Sequence, residues 1–149
     1  MASLAASRRG ASLFRWLLPR ADRLALRLTR GRRVFTNHAV PTLILTSIGR
    51  KSGEPRLQPL CYVRDGNDLI VVGSNWGQEH HPAWTANLLA TPRATVTIGG
   101  DELPVEAELV PDDEWESLYG RFEAMSRNYA AYRQWTGGRR IRMFRLTPR

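Results

Sequence analysis

Short apolar runs, some alternating and some continuous, follow one another along the chain after residue 41. Runs of this length bounded by Gly, Pro, Asn and Asp are typical of β-strands. They predict six strands, at about residues 42–48, 57–64, 68–74, 94–98, 103–110 and 141–146. Asp65-Gly66-Asn67 predicts a tight hairpin between the second and third strands, and Gly99 to Glu102 predicts a turn between the fourth and fifth.

Helices are predicted between these strands. One runs from about residue 82 to 90, and a second helix, or a pair of helices, runs from Pro111 to about residue 133. Proline followed by three acidic residues favours a helix start at 111–114. Short antiparallel strands with inserted helices predict an α+β domain built on a small barrel.

The N-terminal segment has a different pattern. Within residues 11–30, five apolar residues recur every three or four positions: Leu13, Leu17, Ala21, Leu24 and Leu28. This spacing predicts a helix with an apolar stripe, and most of the arginines fall on the opposite side. Such a cationic amphipathic helix can lie on an anionic membrane surface, or its stripe can pack on the domain while its arginines are solvated.

Charge divides the chain into two parts. The net charge is +8, and residues 1–33 alone contain nine arginines and one aspartate. The remaining residues carry equal numbers of basic and acidic side chains. We therefore expect a cationic arm over residues 1–33 and a neutral domain over residues 34–149. A neutral domain argues against a nucleic-acid partner, which favours a basic face on the folded body.

The sequence shows neither the disulfide pattern of a secreted protein nor a transmembrane segment. Its one cysteine, Cys61, excludes an internal disulfide and fits a reducing compartment. No apolar run reaches the ~18 residues that span a bilayer. We expect a cytoplasmic protein, which would be peripheral on the inner face of the membrane if the arm binds there.

A cationic turn between the first two predicted strands is the strongest candidate binding site. It combines two glycines, Gly49 and Gly53, with Arg50, Lys51, Ser52 and Arg56. Glycines let backbone N–H groups approach a ligand, and arginine presents a fork of donors that matches phosphate or carboxylate oxygens. The turn therefore suits a multiply charged anion, although an ordinary hairpin loop with solvated cations has the same composition. Neither a Walker A loop nor a dinucleotide-binding G-x-G-x-x-G is present.

Other candidate chemistry is sparser. His80 and His81 are adjacent and His38 is distant, so their spacing does not predict a metal site. No G-x-S-x-G elbow supports a serine nucleophile. Tyr129 and Tyr132 lie three residues apart and would share a helix face, from which a hydroxyl can steer or protonate a substrate, or simply pack.

Two longer motifs resemble a known family. Thr46 to Leu60 reads T-x-x-G-R-K-S-G-x-x-R-x-x-P-L, and Ser74 to Pro92 reads S-N-x-G…H-P-x-W-x-x-N-L-x-A-x-P. A late Y-x-x-Y followed by R-L-T-P adds to the match. Together they resemble the deazaflavin (F420)-dependent nitroreductase family. The resemblance implies a split β-barrel with peripheral helices and an N-terminal amphipathic helix, which binds the two-electron hydride carrier F420.

The resemblance also implies roles for individual residues. The anionic part of F420 would be held by Arg50, Lys51, Ser52 and Arg56. The remaining cofactor contacts would be Pro59, Ser74, Asn75, Trp84 and Asn87. Tyr129 and Tyr132 would face the substrate. Cys61, Asn75, Trp76 and Arg142 depart from residues that the family often carries, and these departures bear on the substrate more than on the cofactor.

We expect from this an F420H2-dependent oxidoreductase that passes a hydride to a small acceptor, such as a quinone, an activated alkene or a nitroaromatic. No metal is expected. An FMN- or haem-binding split barrel, or a non-catalytic F420 carrier, remains open as an alternative. The sequence leaves open whether the protein is a monomer or a homodimer.

Overall fold

The computed structural model describes residues 40–149. The predicted helix over residues 11–30 and the arm over residues 1–33 lie outside this part. Six strands occur in the order of the sequence: β1 (Thr42–Ile48), β2 (Pro55–Asp65), β3 (Asp68–Val72), β4 (Arg93–Ile98), β5 (Asp101–Leu109) and β6 (Met143–Pro148). Three helices are inserted between them: α1 (Ala83–Ala90), α2 (Asp112–Met125) and α3 (Asn128–Trp135).

All six strands pair antiparallel into one closed barrel, in the spatial order β1-β2-β3-β6-β5-β4. The barrel closes because β1 pairs with β4 as well as with β2. Leu45, for example, lies between Gln58 of β2 and Val96 of β4. The predicted split-barrel α+β fold is confirmed.

Two apolar cores share the barrel wall. The inner core fills the barrel and includes Leu45, Val96 and Leu146, all fully buried, together with Trp84 of α1. The outer core lies where α2 and α3 pack on the outside of β3 and β6, around Phe122 and Met143. Alternate residues of each strand point to opposite faces, so β6 sends Phe144 into the inner core and Met143 into the outer one.

Several element boundaries differ from the sequence expectation; β2 already begins at Pro55, and β6 lies two residues later, at Met143–Pro148. The turn between β4 and β5 contains only Gly99 and Gly100, both with positive φ, as a two-residue hairpin turn requires. The helical region after Pro111 is a pair of helices, one of the two arrangements expected, and it breaks at Ser126 and Arg127. Strand β3 ends at Val72, because residues Asn75–Gly77 form a short 3-10 turn.

Candidate functional site

The loop between β1 and β2 is a compact corner closed by its own backbone. The N–H of Gly49 donates to the carbonyl of Glu54, and the N–H of Gly53 donates to the carbonyl of Gly49, both at 2.8 Å. Gly53 has a φ of +70°, which favours glycine. A Cβ at Gly49 would lie 2.5 Å from Oγ of Ser52, so any larger residue there would displace the Ser52 hydroxyl. The sequence thus folds into a rigid turn that presents its side chains outward.

Ser52 orders the corner from within. Its Oγ accepts one hydrogen bond from the backbone N–H of Glu54 and a second from Nη2 of Arg56, each at 3.2 Å. The second bond orients the Arg56 guanidinium toward Ser52. Ser52 therefore positions a cation, in addition to offering its own hydroxyl.

Helix α1 is tied to the corner by one buried side chain. Asn87 is 5% exposed, and its Oδ1 accepts a hydrogen bond from the backbone N–H of Arg50 at 3.1 Å. Among residues 40–149, no hydrogen bond uses the Nδ2 group of Asn87. That amide N–H2 lies at the wall of a groove, where it is available to a ligand.

The groove has a volume of about 780 Å³. It joins the corner, the start of α1 and the outer faces of β1 and β4. Its walls contain six of the predicted cofactor residues: Arg50, Lys51, Ser52, Arg56, Trp84 and Asn87. Within the described residues, none of the three cations lies within 4 Å of a carboxylate. Their positive charge is therefore available to an anionic ligand.

Three predicted cofactor residues lie outside the groove lining. Pro59 is on β2, paired with Ile44. The carbonyl of Ser74 accepts a hydrogen bond from Nη2 of Arg139 at 2.9 Å. The side-chain amide of Asn75 is occupied within its own loop, where it donates to the carbonyl of His80 and accepts from Gln78.

Both predicted catalytic tyrosines lie in the outer core. Tyr129 is 8% and Tyr132 is 5% exposed, and their rings meet at 5.6 Å in an edge-to-face contact. Cys61 packs against the same core beside Tyr129. Burial, and then the neighbouring Cys61, raises the pKa of both tyrosines above their ordinary value. Both hydroxyls are therefore neutral hydrogen-bond donors at neutral pH.

Strand β2 connects the groove with the tyrosines. Leu57 lines the groove and is 46% exposed, and Cys61 packs against the outer core. Residues 57, 59 and 61 project from the same face because side chains alternate along a strand. The strand rises ~3.3 Å per residue, so the face between Leu57 and Cys61 extends for ~13 Å. Pro59 lies midway along it.

Several residues that line the groove were not assigned to the site by the sequence analysis. Ile44, Thr46, Gln58, Thr97, Gly100 and Glu102 also line the groove. Thr97 and Glu102 reach it because β4 pairs with β1 and β5 pairs with β4. Pairing between strands about 50 residues apart has no local signal in the sequence. Motif spacing could not have identified Thr97 and Glu102.

Arg139 is another residue that the sequence analysis missed. Its guanidinium donates to the carbonyls of Gly73, Ser74 and Gln78 at 2.9–3.2 Å. It also lies 3.1 Å from Nδ1 of His81. These bonds hold the loop after β3, in which Asn75 and Trp76 both adopt positive φ. Burial, followed by the charges of Arg142 and Arg139, lowers the pKa of His81.

Comparison with known proteins identifies the chain. The model of the F420H(2)-dependent quinone reductase family matches residues 18–148. The chain belongs to this family. Members of the F420H(2)-dependent quinone reductase family are oxidoreductases, and the family takes its name from the reduced deazaflavin cofactor. The predicted family resemblance and enzyme class are confirmed.

Individual relatives agree with the family match. Rv3178 of Mycobacterium tuberculosis, whose name gives the same activity provisionally, is 38% identical over 110 residues, which cover 74% of this chain and 92% of the relative. The solved F420-H2 dependent reductase FDR-A is 31% identical with a TM-score of 0.65, covering 71% of this chain and 93% of its own. HutZ, a haem storage protein of Vibrio cholerae, shares only the fold, at 15% identity and a TM-score of 0.57 over 87% of this chain and 90% of its own.

Residues 40–149 contain neither a transmembrane helix nor a cluster of metal ligands. No helix within residues 40–149 is long and apolar enough to cross a membrane. In the same residues, no three His, Cys, Asp or Glu side chains are grouped closely enough to hold a metal ion.

Proposed function

We propose that this chain catalyses reduction of a quinone by F420H2 and that the corner groove holds the cofactor. The observation that supports this most directly is the donor set of the groove. Three cations without carboxylate partners among residues 40–149 and the Nδ2 group of Asn87 line one cavity. Charge-assisted hydrogen bonds to phosphate or carboxylate oxygens are stronger than neutral ones, so this set fits the anionic part of F420.

One face of β2 supports a position for the flat ring of the cofactor. From the cationic corner, Leu57, Pro59 and Cys61 form an apolar strip that leads to Tyr129 and Tyr132. A flat ring laid along this strip would have its charged tail at the corner. F420H2, when bound, would supply a hydride, that is, a proton and two electrons transferred together.

The chain's own residues would then bind and polarise the acceptor. Tyr129 and Tyr132 remain protonated, so either hydroxyl can donate a hydrogen bond to the acceptor oxygen on which negative charge develops. The apolar strip would cover one face of the bound ring. A quinone carbonyl fits this donor, and activated alkenes or nitroaromatics present similar oxygens.

The N-terminal sequence suggests where a quinone would be met. The cationic amphipathic pattern of residues 11–30 suits an anionic membrane surface, which is also where lipid-soluble quinones are found. We therefore include peripheral binding to the inner face of the membrane in the proposal. The full chain should sediment with anionic vesicles, and a variant without residues 1–33 should stay in the supernatant. Equal sedimentation of the two proteins would contradict membrane binding by this segment.

A titration of purified protein with F420 and, separately, with FMN tests the cofactor assignment. We expect F420 to bind and Arg56→Ala to weaken it by about 1.5–3 kcal/mol, the usual value of a hydrogen bond to a charged group. Arg93→Ala provides a matched control, because Arg93 is an exposed arginine of β4 outside the groove. Turnover of F420H2 with a quinone panel follows. Binding of FMN without F420, or of F420 without turnover, would contradict the proposal.

A further inference from the structure

The loop after β3 leaves the barrel beside the end of the apolar strip. Tyr62 of β2 pairs with Val71 of β3. The next residues on the two strands, Cys61 and Val72, both pack in the outer core. Strand β3 ends at Val72, and the chain turns through residues 73–78 on its way to α1. This loop therefore starts next to the place where the strip reaches the two tyrosines.

Trp76 of this loop lies against one of those tyrosines. Its indole meets the ring of Tyr132 edge to face, with the ring centres 6.0 Å apart. Tyr132 in turn meets Tyr129 at 5.6 Å. Both tyrosines are buried, whereas Trp76 is half-buried. Trp76 is therefore the most accessible member of this row of three rings.

The backbone holds the indole there in a strained conformation. Asn75 and Trp76 both have left-handed φ, +48° and +56°, which is rare for a residue as bulky as tryptophan. The guanidinium of Arg139 fixes the backbone on either side, because it donates to the carbonyls of Ser74 and Gln78. Strained backbone persists only where surrounding contacts enforce it, and it is concentrated at functional sites.

We propose that Trp76 is a specificity-determining residue that forms the outer wall of the acceptor site. This inference rests on the proposed function, in which Tyr129 or Tyr132 donates a hydrogen bond to the acceptor. Cys61 packs beside both tyrosines, and Trp76 adjoins Tyr132. A flat acceptor at this place gains an aromatic contact with the indole, whereas an acceptor with a bulky substituent collides with it.

The test compares two quinones that differ mainly in bulk. One is tetramethyl-p-benzoquinone, and the other has the same ring with one methyl replaced by tert-butyl. Both rings are fully substituted, so neither has a free carbon to which the thiol of Cys61 could add. The ratio of their kcat/KM values with F420H2 is measured for each protein. Because the intrinsic reactivity of each quinone is the same throughout, a change in this ratio reports the site.

Three variants separate a wall of the site from ordinary packing. Trp76→Gly removes the indole, and glycine accepts the left-handed φ, so the loop keeps its course. Trp76→Phe keeps a smaller aromatic wall. Trp135→Ala is the matched control, because Trp135 also contacts the ring of Tyr132, at 6.1 Å between ring centres, but from the end of α3, where it packs on Gly77.

We expect Trp76→Gly to raise the ratio of bulky to flat quinone at least about threefold, since the flat quinone alone loses an aromatic contact, usually about two- to tenfold. Trp76→Phe should raise the ratio less, and Trp135→Ala should leave it close to wild type. F420 affinity should stay close to wild type in all three. Equilibrium dialysis with protein saturated by oxidised F420, which has no hydride to transfer, should show the bulky quinone gaining affinity relative to the flat one.

An unchanged ratio in Trp76→Gly, or an equal rise in Trp135→Ala, would overturn the inference. Loss of F420 affinity in Trp76→Gly would also overturn it, because the indole would then belong to the cofactor site. If wild type binds F420 and reduces the flat quinone, the proposed function stands whatever the ratio does. If wild type reduces neither quinone, both proposals are wrong.

Discussion

The backbone N–H of Arg50 and the side-chain Oδ1 of Asn87, 37 residues apart in sequence, are joined by a hydrogen bond of 3.1 Å. This bond connects the cationic corner to helix α1. Because the amide of Asn87 is planar, fixing Oδ1 on the backbone also fixes the direction of Nδ2 into the groove. One side chain thus both supports the corner and presents a donor to the groove.

Substitution of Asn87 should separate these two roles. Asn87→Asp keeps an acceptor for the Arg50 N–H but replaces the Nδ2 donor by negative charge. We expect near wild-type stability and F420 affinity lower by about 1.5–3 kcal/mol. Asn87→Ala also loses the acceptor, so its free energy of unfolding should fall by about 1–3 kcal/mol. Urea unfolding and F420 titration measure the two quantities, and unchanged affinity in Asn87→Asp would remove the side chain from the ligand site.

Tyr129→Phe should lower turnover and leave cofactor affinity nearly unchanged. Loss of one neutral donor to the acceptor costs about 0.5–1.5 kcal/mol in the transition state, or roughly two- to thirteenfold in rate. Tyr62→Phe is the matched control, because Tyr62 is a buried tyrosine of the inner core, whereas Tyr129 lies in the outer one. Steady-state kinetics with a quinone and F420 titration distinguish the roles. Weaker F420 binding in Tyr129→Phe would make that hydroxyl structural.

Gly77→Ala should destabilise the protein more than Gly66→Ala does. Both glycines have positive φ, +76° and +62°, so both substitutions incur the left-handed strain of about 1–2 kcal/mol. A Cβ at Gly77 would also lie 3.0 Å from Cα of Tyr132 and Cβ of Trp135, whereas the space around Gly66 is open. Thermal unfolding of the two variants measures the difference. Equal losses would show that α3 moves away from the loop at little cost.

Acidification should weaken the loop held by Arg139. Burial and two neighbouring arginines lower the folded-state pKa of His81 below the unfolded value near 6.5, so the unfolded chain binds its proton first. The stability from neutral His81 is present above pH ~6.5 and is lost as the pH falls through the folded pKa. Urea unfolding at pH 7.5 and at pH ~5.5 should show a smaller loss for His81→Gln than for wild type. A larger loss of unfolding free energy in His81→Gln than in wild type would contradict this prediction.

Local features of the molecule could be predicted from the sequence. The corner, with Gly49 and Gly53, and the hairpin at Gly66 depend on residues adjacent in the chain, and the structure has all three where the sequence places them. Residues Thr46 to Leu60 were sufficient to propose an anion site. Its rigidity follows from backbone hydrogen bonds within the same loop.

Long-range features could not be predicted in the same way. Glu102 and Thr97 enter the groove only through the register of β1 with β4 and of β4 with β5. Arg139 holds carbonyls 61 to 66 residues earlier in the chain. The position of the tyrosines under an outer core, away from the groove lining, depends on how α2 and α3 pack on the barrel. None of these relations has a signature in neighbouring residues.

The two apolar cores on opposite sides of one barrel wall have a consequence for the diversification of such enzymes. The residues proposed to contact the oxidant lie on the side of α2 and α3, and those proposed to bind the charged cofactor lie in the corner and in α1. Substitutions in α2 and α3 could therefore change the electron acceptor while the proposed cofactor-binding residues stay the same. Cys61 and Trp76, which depart from the commoner family residues, both lie on the helical side.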